Sequence, residues 1–96
     1  MRVEFHPEAL AEFLAATEYY EQQHTGLGER FVSAVETAVA SLAAAPESSR
    51  VIEDDIRRCL TKVFPYAVLY SIEPDHILVV AVMHCRREPG YWRNRN

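Results

Sequence analysis

The chain has 96 residues, an apolar fraction of 49% and a formal net charge of −4. This length predicts one domain with a modest core, and the apolar fraction excludes a disordered chain. No apolar run approaches the roughly 20 residues that span a bilayer. The first residues alternate and then meet Pro7, unlike a signal peptide. We therefore expect a single cytoplasmic domain over residues 1–96.

Charge is distributed unevenly along the chain. Residues 1–49 carry eight acidic and two basic residues, whereas residues 50–96 carry six acidic and eight basic residues. From His84 onward, four arginines accompany a single glutamate. The acidic half argues against broad nucleic-acid binding, and the basic end permits a focused contact with a polyanion. By composition alone, these arginines are equally consistent with a solvated surface.

The first half predicts one strand and two helices. Arg2 to His6 alternates as a short strand does. Pro7 suits the first turn of a helix that is expected to run to about Gln23. The segment Thr25–Gly28 breaks this helix, and Pro46 ends the second one. Both helices carry apolar residues at spacings of three and four: Leu10, Phe13, Leu14, Thr17 and Tyr20 in the first, and Phe31, Val35, Ala38, Val39 and Leu42 in the second. Two such helices joined by a short glycine-bearing turn predict an antiparallel hairpin.

The second half predicts strands. A short strand is possible near Val51, and Ile56–Val63 and Tyr66–Ile72 follow as further strands. Ile77–Met83 is continuously apolar, as expected of a central strand that is buried on both faces. The expected fold is α+β: an N-terminal strand, an antiparallel helical hairpin, then an antiparallel strand meander, with the helices on one face of the sheet.

The end of the last strand is the main candidate for chemistry. If this strand stays regular, His84 and Arg86 point to the same face as Val80 and Val82, and Arg87 points to the other. A histidine in this position can act as a general acid or base near neutral pH. The alternative, which spacing alone favours, is a polar strand end beside surface arginines.

Arg58 and Lys62 share a face of an earlier predicted strand. Together with Arg86 they could bind a phosphate, because guanidinium groups contact phosphate oxygens bidentately and lysine adds a point charge. Such a cluster can cleave RNA without a metal, with the substrate's 2′-hydroxyl as nucleophile. Tyr91 and Trp92 could stack on a base or supply a phenol for proton transfer. More often such a pair closes the edge of a core.

Metal and disulfide chemistry are not indicated. The four histidines are scattered and no Cys-x-x-Cys spacing occurs, so neither a metal nor another cofactor is expected. Cys59 and Cys85 could be neighbours in the sheet, but we expect free thiols in a reducing cytoplasm.

In order and spacing, these segments resemble the RelE/ParE superfamily of bacterial toxins, the toxic partners of type II toxin–antitoxin pairs. The resemblance extends over essentially the whole chain. It is carried by His6-Pro7-Glu8-Ala9, Tyr19-Tyr20-Glu21, Gly26-Leu27-Gly28, Phe31, Ile56-Arg57-Arg58, Phe64-Pro65-Tyr66, Leu69-Tyr70 and Val82-Met83-His84. The resemblance implies a helical hairpin packed on an antiparallel sheet.

Two activities are implied by this resemblance. RelE-like members cleave mRNA on the ribosome, and the matching catalytic residues would be Arg58, His84, Arg86 (or Arg87) and Tyr91. ParE-like members inhibit DNA gyrase by binding. Leu60 and Ala67 stand where cleaving members carry basic residues, and the net charge is acidic, which favours the gyrase inhibitor. Target contacts are then expected at Arg57, Lys62, Arg87, Trp92 and Arg93.

The resemblance also implies a partner, a small cognate antitoxin that wraps a helix or an extended segment around the toxin. The apolar stripes of the hairpin suggest the site, and the expected contacts are Leu10, Phe13, Tyr20, Phe31 and Val35. A third possibility is a degenerate member that binds its antitoxin without being toxic.

Overall fold

The computed structural model describes residues 1–95 and contains two helices and five strands. In chain order these are β1 (Arg2–Phe5), α1 (Pro7–Gln23), α2 (Leu27–Ala44), a 3₁₀ turn (Pro46–Ser48), β2 (Arg50–Glu53), β3 (Ile56–Leu60), β4 (Tyr66–Ile72) and β5 (His76–His84). The predicted α+β fold is confirmed.

The five strands form one mixed sheet in the order β1-β5-β4-β3-β2. Strands β2 to β5 are the predicted antiparallel meander. Strand β1 instead joins the sheet in parallel with β5, from the pair Arg2–His76 to the pair Phe5–Val79. As a result β5 is a central strand over its first half, which explains its continuous apolar run.

The helical hairpin is held by local capping and by a close helix approach. The Glu21 carboxylate of α1 accepts hydrogen bonds of 3.0–3.1 Å from the backbone N–H groups of Gly26 and Gly28, which satisfies free donors at the start of α2. A Cβ atom on Gly28 would lie 2.7 Å from the carbonyl oxygen of Thr17. Glycine is therefore required where the helices cross, a role beyond breaking the helix.

Apolar side chains pack on both faces of the sheet. On the face toward the helices, the fully buried Phe31 of α2 contacts the rings of Tyr20, Phe64 and Tyr66 at centroid distances of 4.9–5.2 Å. A smaller cluster lies on the opposite face, where Trp92 packs on the sheet: Ile56, Ala67, Leu69, Val80, Ala81 and Trp92. The C-terminal segment thus covers part of the face that the helices leave free.

The predicted strand over 56–63 is too long. Strand β3 ends at Leu60, because the Thr61 hydroxyl closes a turn with one bifurcated hydrogen bond to the carbonyl oxygens of Phe64 (2.9 Å) and Tyr66 (3.1 Å). In this turn Val63 has a φ of +73° and is 89% exposed. A β-branched residue in this region is strained. Lys62 therefore lies in a turn and does not share a strand face with Arg58.

The two cysteines are free and differ in environment. Cys59 points toward α2, with its Sγ 3.7 Å from the Ala38 carbonyl oxygen, and burial raises the pKa of its thiol. Cys85 is exposed in the turn after β5. Among the described residues, no helix is long and apolar enough to cross a membrane.

Candidate functional site

His84 ends β5 and lies in a cleft of about 290 Å³ between that strand end and α1. Its ring packs edge-on against Tyr66, its cross-strand partner, at a centroid distance of 5.2 Å. The cleft is lined by Glu12, Ala15, Ala16, Tyr19, Tyr66, Val82, His84, Arg87 and Tyr91. It brings one imidazole, one carboxylate, one guanidinium and three phenols together.

One ring nitrogen of His84 is already in use. The backbone N–H of Arg86 donates to His84 Nδ1 at 3.0 Å, which places the proton of the neutral ring on Nε2. Only Nε2 remains to contact a ligand. In its neutral form the ring can donate a hydrogen bond through this atom but has no free basic nitrogen.

A β-bulge decides which face His84 occupies. Tyr70 pairs with Val79 and Leu69 pairs with Ala81, so Val80 is an extra residue on β5. After the bulge, Val82 and His84 lie on the face toward the helices, whereas Val80 belongs to the opposite cluster. The expectation of a regular strand with Val80 and His84 on one face is therefore wrong.

Arg58 lies on the other face of the sheet from His84. Its cross-strand partner is Leu69, a member of the cluster around Trp92, whereas the adjacent Cys59 faces the helices. A sheet separates the two side chains, so Arg58 and His84 cannot contact one phosphate. The cluster of Arg58, His84 and Arg86 that the sequence suggested does not assemble.

The arginine that reaches the His84 cleft is Arg87, not Arg86. Strand β5 stops at His84 and the following turn brings the Arg87 guanidinium over the Tyr91 ring, 3.8 Å from its centroid and 3.9 Å from the Glu12 carboxylate. Arg86 is exposed and forms no side-chain hydrogen bond or ion pair within residues 1–95. The prediction that Arg87 points away from the cleft is wrong. It assumed that the strand continues to Arg87, whereas β5 ends at His84 and Arg87 lies in the following turn.

Tyr91 is poorly suited to proton transfer at neutral pH. Its hydroxyl is buried, and burial together with the Glu12 carboxylate raises the pKa of the phenol. The phenol stays protonated, and the guanidinium carbons of Arg87 and Arg95 lie 3.8 and 5.0 Å from the centroid of its ring. This arrangement is typical of a packing residue.

A buried ion pair beside this cleft was not predicted. Arg95 Nη1 lies 2.8 Å from Glu12 Oε1, with side chains 10% and 15% exposed, and also donates to the Val80 carbonyl oxygen at 3.2 Å. Glu12 Oε1 accepts a further hydrogen bond of 3.1 Å from the Val82 backbone N–H. Strand β1 has ended by this point, so the two side chains satisfy the backbone groups that a neighbouring strand would have paired.

Three other predicted target contacts, Arg57, Trp92 and Arg93, are already engaged by other parts of the chain. Arg57 donates to the carbonyl oxygens of Glu47 and Ser49 at 2.9 and 2.8 Å and so anchors the loop after α2. Trp92 is only 5% exposed and cannot offer its ring to a target. Arg93 is bound to Glu53, with nitrogen–oxygen distances of 2.5 and 2.7 Å, although its side chain is largely exposed.

Lys62 lies in a different depression, a groove of about 580 Å³ beside α2. The groove is lined by Gly26, Glu29, Arg30, Ser33, Ala34, Thr37, Ala38, Ser41, Cys59, Leu60, Lys62, Val63 and Phe64. Within residues 1–95, no group of three or more His, Cys, Asp or Glu side chains is arranged to hold a metal ion.

A family model described as the ParE toxin of type II toxin–antitoxin system, parDE, matches residues 3–89. The chain belongs to the ParE toxin family.

A solved structure has the same fold as this ParE-family toxin. It is described as the chromosomal ParDE TA system from P. aeruginosa, with a TM-score of 0.65 and 14% sequence identity, and the match covers 88% of this chain and 95% of that chain. At this identity the likeness concerns the fold alone. No curated protein matches the chain significantly.

The ParE-family hairpin exposes only part of its predicted antitoxin surface. Phe31 and Val35 have no exposed surface and belong to the toxin's own core, so their side chains are not available to a partner. Phe13 and Tyr20 are partly buried against the same core, and Leu10 is 45% exposed. Apolar periodicity identifies the inward side of a helix, and that side here packs on the sheet.

Proposed function

We propose that this ParE-family toxin inhibits DNA gyrase by binding to it in the cytoplasm, without making or breaking a bond. The observation that carries this proposal is the separation of Arg58 and His84 on opposite faces of the sheet. Metal-independent RNA cleavage needs a proton-transfer group and a cation at the same phosphate, held within hydrogen-bond reach. The residues that the sequence resemblance suggested for cleavage, Arg58 and His84, do not meet at one phosphate.

Early precursor incorporation tests the proposed target. When the toxin is expressed without antitoxin, incorporation of radiolabelled thymidine is expected to collapse within the first minutes, while methionine incorporation continues. Gyrase inhibition stops replication directly, whereas ribosome-dependent cleavage stops translation first. An early collapse of methionine incorporation would favour the ribonuclease.

The variant His84→Ala distinguishes a binding inhibitor from a ribonuclease. A binding inhibitor should keep its toxicity within a few-fold, because the imidazole makes no bond to a reacting group. If the toxin is a ribonuclease that uses His84 as acid or base, this variant should lose roughly 10²-fold or more of its cleavage rate and of its toxicity. Expression of the toxin with its antitoxin serves as the control for folded, neutralised protein.

The proposed partner is a small antitoxin that covers the outer surface of α1. Leu10 and Leu14 lie one helical turn apart on this helix and are 45% and 61% exposed. Next to them, Phe13 borders an apolar depression of about 400 Å³ that is also lined by Phe5 and Val39. Exposed leucines beside an apolar depression fit the apolar face of an amphipathic helix.

Charge substitutions on α1 test this surface. The double variant Leu10→Glu/Leu14→Glu is expected to weaken antitoxin binding at least roughly 100-fold, because two leucines would each lose about 1.5–3 kcal/mol of burial. Binding can be measured by calorimetry with the antitoxin encoded beside the toxin gene. Val51→Glu, which changes an equally exposed apolar residue of β2, is the matched control. If the α1 double variant and Val51→Glu lose the same affinity for the antitoxin, the antitoxin binds elsewhere on the toxin.

A further inference from the structure

Two arginines stand directly opposite each other at the edge of the sheet. In the register of β2 and β3, Arg50 pairs with Arg58, so their side chains project from the same face. This is the face away from the helices, since Arg58 in turn pairs with the buried Leu69. By sheet geometry the two Cβ atoms are about 4.5–5.5 Å apart. Like charges in this position destabilise a sheet.

Neither guanidinium forms an ion pair within the part of the chain that the structure describes. The carboxylate nearest in sequence on that face is Glu53, and it is occupied by two contacts to Arg93. By contrast, Arg57 on the helix side of β3 donates two hydrogen bonds to backbone carbonyl groups. Arg50 and Arg58 thus keep their donors free for a ligand.

We propose that Arg50 and Arg58 form a binding site for one backbone phosphate of the DNA that gyrase holds. This inference rests on the proposed function and adds a nucleic-acid contact to it. Two guanidinium groups on adjacent strands can bind one phosphate together, each through paired N–H donors. A bound phosphate offsets the repulsion between the two arginines, because it attracts both guanidinium groups.

The position of the pair suits a duplex backbone. Strand β2 is the edge of the sheet, so a large polyanion can approach from the side. Arg50 is exposed, and Arg58, the cross-strand partner of Leu69, is partly buried. Contacts to a phosphate carry no base preference. The site therefore holds DNA of any sequence.

The net charge of −4 makes this contact an auxiliary one. One phosphate bound by two arginines gives weak affinity for free DNA at physiological salt. Once the toxin is bound to gyrase, the DNA beside it is present at a high effective concentration, and the same contact becomes significant.

Salt-dependent binding to a short fluorescent DNA duplex, measured by anisotropy on toxin separated from its antitoxin, tests the site directly. We expect the double variant Arg50→Gln/Arg58→Gln to reduce the slope of log affinity against log salt by about one, because it removes the contact to one phosphate, and each single variant to reduce it by less. The double variant should bind roughly tenfold or more weakly at low salt. Arg30→Gln, which removes an exposed arginine of α2 that forms no ion pair within residues 1–95, should change neither quantity.

Thermal unfolding separates a ligand site from a structural role. Arg58→Gln removes a like-charge pair, so its Tm without DNA should equal or exceed that of the parent. A clear fall in Tm would mean that Arg58 supports the fold, and would overturn the proposal. An unchanged salt slope in the double variant would also overturn it. If toxicity were lost while the slope stayed the same, the arginines would contact an acidic protein surface instead.

The duplex assay contains no gyrase, so it is independent of the target. If methionine incorporation collapses first but the slopes change as expected, the gyrase assignment fails and the phosphate site remains. If thymidine incorporation collapses and the slopes do not change, the gyrase assignment remains and the phosphate site fails.

Discussion

Replacing Phe31 with alanine is expected to lower the free energy of unfolding by about 3–5 kcal/mol. Phe31 is fully buried and its ring meets those of Tyr20, Phe64 and Tyr66 within 5.2 Å, so it joins both helices to the sheet. Alanine would remove these contacts and leave a cavity that rigid neighbours cannot fill. Small domains are stable by only about 5–15 kcal/mol, so much of the chain should unfold at physiological temperature.

Urea denaturation followed by circular dichroism measures this loss. Leu14→Ala is the matched control, because it removes a large apolar side chain from the exposed surface of α1. It should change the free energy of unfolding by less than about 0.5 kcal/mol. A comparable loss in both variants would mean that Phe31 is less central to the core than its contacts indicate.

Replacing Glu12 with alanine is expected to cost about 3–5 kcal/mol of stability. The change leaves the Arg95 guanidinium buried without its 2.8 Å partner and removes the acceptor of the Val82 N–H group. A buried cation and an unsatisfied backbone donor are each costly. The end of β5 and the C-terminal segment should loosen first, which hydrogen exchange would detect at Val82 and Trp92.

Glu8 provides the control for Glu12. It lies one turn earlier on α1 and approaches the same Arg95 at 3.8 Å, but its side chain is 67% exposed. Glu8→Ala should therefore change stability only slightly, as surface ion pairs contribute little. Glu12→Gln keeps the hydrogen-bond acceptor for Val82 but removes the charge. Its loss of stability should therefore lie between those of Glu8→Ala and Glu12→Ala. Similar losses for Glu8→Ala and Glu12→Ala would rule out a special role for the buried pair.

Element types were predictable wherever local patterns determine them. Pro7 and Pro46 marked the two ends of the helical hairpin, the glycines marked the turn between its helices, and the continuous apolar run marked the central strand. The parallel pairing of β1 with β5 was not predictable, because it depends on contacts between residues more than seventy positions apart. The early end of β3 follows from side-chain hydrogen bonds of Thr61, which strand propensity does not include.

The candidate site was less predictable than the fold. One inserted residue, Val80, moves His84 to the helix side and so separates it from Arg58. A bulge of this kind has no reliable sequence signal, since every residue around it is apolar. The pair Arg50–Arg58 required the exact strand register, and the pair Glu12–Arg95 joins the first helix to the end of the chain. Proximity across such distances emerges only from the folded structure.

The distribution of ionised groups gives the molecule an electric dipole across its thickness. Arg95 is paired with Glu8 and Glu12, but the other four glutamates of the two helices are exposed, form no ion pair within residues 1–95 and are accompanied on the helices by one arginine. The opposite sheet face presents Arg50 and Arg58, whereas Arg93 on that side is balanced by Glu53. Near a polyanion, such a molecule experiences a torque that turns its sheet face inward before any contact forms, over a range of about 8 Å at physiological salt. Its helices would then point outward into solvent. An antitoxin that recognises α1 could consequently reach the toxin while it is still on its target.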